Sequence, residues 1–334
     1  MRITREKLIS TAKETVKRAT FGSHDIVCAY LTGSLTFEDP LIGGTTDIDL
    51  FYIHSLTIHD EREIIPIAED FHLDIAHLPQ SYFSHPRKLR ADAWVGSFLC
   101  NYPILLYDTN YWFDFVRSGV FAHFFQPVNV IQRVQPFITS ARQSWISMRN
   151  QNQNNHNSAV FEYLKAIKSA ANAIACLTSV PLTCRRFLID FPRAAQAINM
   201  PGLVGGLVDL IVPTDPIEPD WDIWIGSWSA AYDSALEKGN NSLSFSECRR
   251  SYYKKAITAL KETNNQAALW LLLSTWSRMS FHLSGENASH QGYVDFLGQL
   301  MLDESHFSER LDSLDQFLDA VEESIDTWKQ KAGL

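Results

Sequence analysis

Asp47, Asp49 and Asp74 are the residues of this chain whose type and spacing point most directly to chemistry. Asp47 and Asp49 stand in the run "TTDIDLFYIH". Side chains in an extended strand repeat every second residue, so the two carboxylates share one face while Ile48 and Leu50 take the other. Like charges held side by side in an apolar strand are costly, because each disfavours the other's ionised form and both lose water on burial. A divalent cation removes that cost. Asp74, between Leu73 and Ile75 in "FHLDIAHLP", joins the pair if its strand lies beside theirs. Three carboxylates without partnering histidines or cysteines are hard oxygen ligands, suited to Mg²⁺ or Mn²⁺ and a bound phosphate chain. Gly33 and Ser34, in "AYLTGSLTF", supply the complementary part. Glycine lets the backbone approach phosphates, and exposed N–H groups with a serine hydroxyl donate hydrogen bonds to them. The hydroxyls of Thr45 and Thr46, in a Gly-Gly-Thr-Thr loop, either contact phosphate or serve the turn.

Gly33-Ser34, then twelve residues, then Asp47-Ile48-Asp49-Leu50, then Asp74 within "HLDIA" together resemble the signature of the nucleotidyltransferase superfamily related to DNA polymerase beta. Antibiotic-modifying and minimal nucleotidyltransferases belong to it. The resemblance covers about the first quarter of the chain. It implies a mixed sheet backed by helices and two metal ions bridging Asp47 and Asp49. It further implies that Asp74 ligates the catalytic metal and helps activate the attacking hydroxyl, and that Gly33 and Ser34 hold the triphosphate. In the antibiotic-modifying relatives the helical domain supplies a glutamate base and a lysine to the cleft. Glu162 and Lys165, in "EYLKAIK", are similar to that pair, although the same spacing also suits a solvated helix face strengthened by i,i+3 pairing.

Composition bounds the reading. With 46% apolar and 20% charged residues in 334, this is a folded chain long enough for two cores. The formal net charge of -9 argues against sequence-independent capture of DNA or RNA, which relies on many phosphate contacts, and suits a cationic, aminoglycoside-like small molecule as acceptor, with a protein side chain as the alternative. Five scattered cysteines without a Cys-x-x-Cys pair read as buried thiols in a reducing compartment. The charged N-terminus lacks the apolar segment of a signal peptide, and no apolar run spans a bilayer, so the expected address is the cytoplasm. Oligomeric state leaves no mark on the sequence.

The elements that must position these residues follow from periodicity. Leu8, Ile9, Ala12, Val16 and Ala19 predict an amphipathic helix over 4–19, and strands are expected near 26–32, 47–53, 71–77 and 104–108. The segment between the second and third of these reads as too short and polar for more than a brief helix or long turn, and "DPLIGG" as an exposed loop at the mouth of the site. "RKLRADAWVGSFLCNY" predicts a helix beginning soon after Pro86. Its Arg87, Lys88 and Arg90 either meet the leaving pyrophosphate or the acceptor, or form a solvated first turn. Beyond residue 112 the pattern turns helical, with a polar break at 151–157 and helices expected at 184–198, 202–211, 222–237, 246–263, 265–282 and 304–330. The tryptophans there read as packing groups. The expected fold class is α+β: residues 1–115 form a nucleotidyltransferase-type mixed sheet with helices, and residues 116–334 an all-helical bundle with the cleft between them.

Overall fold

The computed structural model describes residues 3–23, 25–56, 58, 60–150, 155–213, 218–237, 245–282 and 288–334. Its first part is a mixed sheet of β1 (Ile26–Thr32), β2 (Thr46–His54), β3 (Arg62–Ala68), β4 (Phe71–Pro79) and β5 (Ile104–Asp108), in the order β3-β4-β2-β1-β5. β2 and β4 run parallel, and the remaining neighbours are antiparallel. Around the sheet lie α1 (Arg5–Gly22), α2 (Pro86–Ala91), α3 (Val95–Cys100) and α4 (Trp112–Phe124). The rest is an all-helical bundle: α5 (Pro127–Asn150), α6 (His156–Ala175), α7 (Phe187–Ala197), α8 (Gly202–Asp209), α9 (Trp221–Glu237), α10 (Glu247–Thr263), α11 (Asn265–His282), α12 (Ala288–Gln299) and α13 (Phe307–Lys331). By contacts the chain divides into one unit of Met1–Val130 with Ser242–Ala256, and a second of Ile131–Asn241 with Ile257–Leu334. The first turns of α10 thus belong with the sheet.

Strand alternation gives the sheet two different faces. Ala29, Leu31, Ile48, Leu50, Leu73 and Ile75 form one core with Leu8, Ala12 and Val16 of α1, whose four-residue spacing makes a single stripe. Each such large apolar side chain contributes about 1.5–3 kcal/mol on full burial. Cys28, Tyr30, Phe51 and Ile53 point the other way and pack with Leu89 of α2, Leu99 of α3 and Phe113, Val116, Val120 and Phe124 of α4. Asp47 and Asp49 continue this second face toward the start of β2. One end of the face is therefore capped by helices, and the other carries carboxylates.

The structure departs from expectation at two elements and adds to it at two more places. The segment before β4 holds a strand, β3, which pairs only with β4 and is exposed or half-buried throughout, so an edge position tolerates its Pro66 and its charges. The single helix after Pro86 is two, because the Asp92 carboxylate accepts from the backbone N–H groups of Trp94 and Val95 at 2.8 and 2.7 Å and starts α3 afresh. α12 was not anticipated. In the "DPLIGG" insert Asp39, Gly43 and Gly44 are exposed as expected, but Pro40 and Ile42 are buried, with Ile42 bridged to Thr45. The tip is pinned, since a Cβ on Gly43 (φ 61°) would run into the Lys255 backbone carbonyl. Residues 151–154 of the polar break lie outside the described residues.

Within the second unit, Trp224, Trp228, Trp270 and Trp276 are buried, as packing groups should be. All five cysteines are free thiols. No helix among the described residues is long and apolar enough to cross a membrane.

Candidate functional site

Register brings the three carboxylates together. In the parallel β2–β4 ladder Asp49 stands opposite Asp74 and Asp47 opposite His72, so Asp47, Asp49 and Asp74 share a face. Each offers an oxygen within 4.8 Å of the others. Asp47 and Asp49 are half-buried, and Asp74 is only 4% exposed. On the other side of β2, Thr32 pairs with Asp49, which sets the Gly33–Thr36 3₁₀ turn directly beside the cluster. Gly33 has φ 71°, and a Cβ there would overlap the Asp49 carboxylate. Only glycine combines that backbone with that proximity. The Ser34 hydroxyl shares a 2.7 Å hydrogen bond with that of buried Thr46, fixing the turn to the start of β2. The sequence-predicted Gly33, Ser34, Thr46, Asp47, Asp49 and Asp74 are thus neighbours.

The three acids are treated differently by their surroundings. Burial, and then the charges of Asp47 and Asp74, push the Asp49 carboxyl well above the usual range, against the opposing pull of Arg62 and Arg249. No described side chain donates a hydrogen bond to it. For Asp74 burial also acts upward, but the Arg62 hydrogen bonds and the charges of Arg249 and Arg62 outweigh it and hold the carboxyl below its usual value. Arg62 of β3 grips Asp74 bidentately, Nε donating to Oδ1 at 2.6 Å and Nη2 to Oδ2 at 2.7 Å. Arg249 of α10 adds a third bond, Nη2 to Oδ2 at 2.5 Å. Tyr252, one turn further along α10, donates its hydroxyl to Asp47 Oδ2 at 2.8 Å and meets the His72 ring edge-on at 5.0 Å. Lys255 and Ser251 bind Asp70 in the β3–β4 turn at 2.5 and 3.0 Å.

Hard oxygens at this separation, with one carboxylate left unfavourably ionised beside two others, fit a divalent cation. Arg62, Arg249 and Tyr252 were not foreseen. The signal was present in "ECRRSYYKK", where Arg249 and Tyr252 are three apart and so share a helix face, but nothing local ties that face to residues 175 and 205 positions away.

The remaining predicted residues are Lys88, on α2, and the pair Glu162 and Lys165, on α6. Lys88 is exposed on α2, while its neighbour Arg90 donates to the Gly119 carbonyl at 2.6 Å. Glu162 and Lys165 belong to α6 in the second unit, where they pair with each other at 3.2 Å and the Ser144 hydroxyl donates to Glu162 at 3.2 Å.

No protein-family model and no curated protein matches the chain. Among solved structures it is similar to a nucleotidyltransferase-like protein from Exiguobacterium sibiricum, at 10% identity and a TM-score of 0.35, over 93% of this chain and 90% of that one. A likeness of that degree is too slight to assign an activity, which has to rest on the site itself.

Proposed function

We propose that this chain is a metal-dependent nucleotidyltransferase: it transfers a nucleoside monophosphate from a nucleoside triphosphate such as ATP to a hydroxyl, releasing pyrophosphate. The observation that carries the reading is the convergence of Asp47, Asp49 and Asp74 beside a left-handed Gly33-Ser34 turn. Asp47 and Asp49 would hold Mg²⁺ or Mn²⁺. When bound, such an ion supplies Lewis-acid stabilisation of the phosphoryl oxygens. Gly33 admits the phosphate chain close to the backbone, and Ser34, already oriented by Thr46, offers it a hydroxyl. Tyr252 fixes the rotamer of Asp47, and Arg62 and Arg249 fix that of Asp74. The acceptor is a small molecule, aminoglycoside-like in its positive charge, or a protein side chain. An RNA end fits an acidic chain least well. A base and a lysine from Glu162 and Lys165 remain part of the proposal, and using them requires their mutual ion pair to open.

A catalytically silent nucleotide-binding or interaction module is the second reading. The engagement of Asp74 by two arginines favours it. A panel of aminoglycoside, protein and RNA acceptors incubated with radiolabelled triphosphates and Mg²⁺ separates the two. Label on a small molecule or protein with the wild type, and none with D49N, is the expected result. No transfer across every acceptor class would shift the assignment to the silent module.

A further inference from the structure

Resting on the nucleotidyltransferase reading, we infer that this site takes one divalent cation, held by Asp47 and Asp49, and that Asp74 is an anchor for Arg62 and Arg249 and not a metal ligand. A carboxylate has about four lone-pair positions. Three of those on Asp74 are filled by guanidinium N–H groups at 2.5–2.7 Å, two of them converging on Oδ2. An ion coordinated at Asp74 would have to displace these donors or sit against their charge.

The two arginines differ in how readily they give way. Arg62 lies on an edge strand with its side chain 50% exposed, and it has room to swing into solvent. Arg249 does not: its side chain is 10% exposed, and its helix turn is tied down by Tyr252 on Asp47 and by Ser251 and Lys255 on Asp70. Moving it means moving the start of α10. The Nε of Arg249 is buried without a hydrogen-bond partner, so the guanidinium is held by its place in the fold and by Asp74.

Charge points the same way. Two guanidinium charges already stand against the three carboxylates, both of them bonded to Asp74. In two-metal chemistry the second ion stabilises oxygens that gain charge during transfer. A guanidinium fixed as that of Arg249 is performs that service without a metal. The sequence pattern of three acids therefore conceals a site in which arginine takes the second cation's place.

The test is equilibrium dialysis of the full chain against saturating Mn²⁺ and a non-hydrolysable nucleoside triphosphate. Mn²⁺ and nucleotide are each counted per chain above the baseline of a D47N/D49N variant. One Mn²⁺ and one nucleotide per wild-type chain, with D74N also retaining one Mn²⁺, is the expected result. Two Mn²⁺ in the wild type overturns the inference whatever the variant does, and leaves the nucleotidyltransferase reading standing. One in the wild type and none in a folded D74N also overturns it, since Asp74 would then be a ligand of the single ion. Neither Mn²⁺ nor nucleotide above baseline removes the nucleotidyltransferase reading and the inference with it. If D74N fails to fold, the anomalous peak of Mn²⁺ in crystals of the wild type decides the second half: no Asp74 oxygen at coordination distance upholds the inference, and an Asp74 oxygen bound to the single ion overturns it.

Discussion

Asp49 is where the cost of the site is concentrated. It faces two other acids, and burial raises its carboxyl further. A group whose folded pKa lies above its unfolded value contributes stability that is complete below the unfolded pKa and is lost as pH rises through the folded one. Without metal, the penalty for ionising Asp49 should therefore begin at about pH 4 and grow upward. D49N keeps the shape and removes the charge. Its melting temperature should equal or exceed that of the wild type in metal-free buffer, with a gap that widens as pH rises, while transfer falls on the order of 10²-fold or more. A wild-type advantage at neutral pH without metal would show that Asp49 is not strained by its neighbours. Gly33 gives a second test at this scale. G33A places a methyl group against the Asp49 carboxylate at φ 71° and should cost at least about 1–2 kcal/mol in urea unfolding, with loss of nucleotide binding.

At the scale of elements, what the sequence made legible and what it hid have a common physical cause. β1, β2, β4 and β5, and the helices whose apolar residues recur at helical spacing, announce themselves through burial of one face. β3 does not, because an edge strand exposed on most of its length has no apolar alternation to display, and so Arg62 passed as part of a turn. The acids were legible because period two places Asp47 and Asp49 on one face whatever the rest of the chain does. Their partners were not, because a strand meets the start of α10 through tertiary packing alone. The join between them should be visible energetically. D74A leaves Arg249 buried beside a vacated anion site and is expected to destabilise the chain by about 3–5 kcal/mol, whereas R62A, at a half-exposed position, should cost about 1 kcal/mol or less. Chemical denaturation of both variants checks the order, and equal losses would mean that Arg249 contributes no more than Arg62.

For the whole molecule, the return of Ser242–Ala256 to the sheet unit decides how the chain can be divided. A fragment of residues 1–115 retains all three acids and Arg62 but lacks Arg249 and Tyr252, the donors to Asp74 and Asp47. It also lacks most of α4, whose Val116, Val120 and Phe124 complete the core on the carboxylate-bearing face. Such a fragment should be markedly less stable than the full chain and bind nucleotide weakly. Cooperative unfolding of the fragment at the full chain's midpoint would contradict this. The proposed transfer requires that Asp47 and Asp49, with the Gly33–Ser34 turn, form the metal and triphosphate site. Diffraction from crystals of the full chain grown with Mn²⁺ and a non-hydrolysable triphosphate measures this directly through the anomalous signal of manganese. The expected result is a peak coordinated by Asp47 and Asp49, with the phosphates lying on Gly33 and Ser34. A triphosphate bound elsewhere, or no manganese at these two carboxylates, would contradict it.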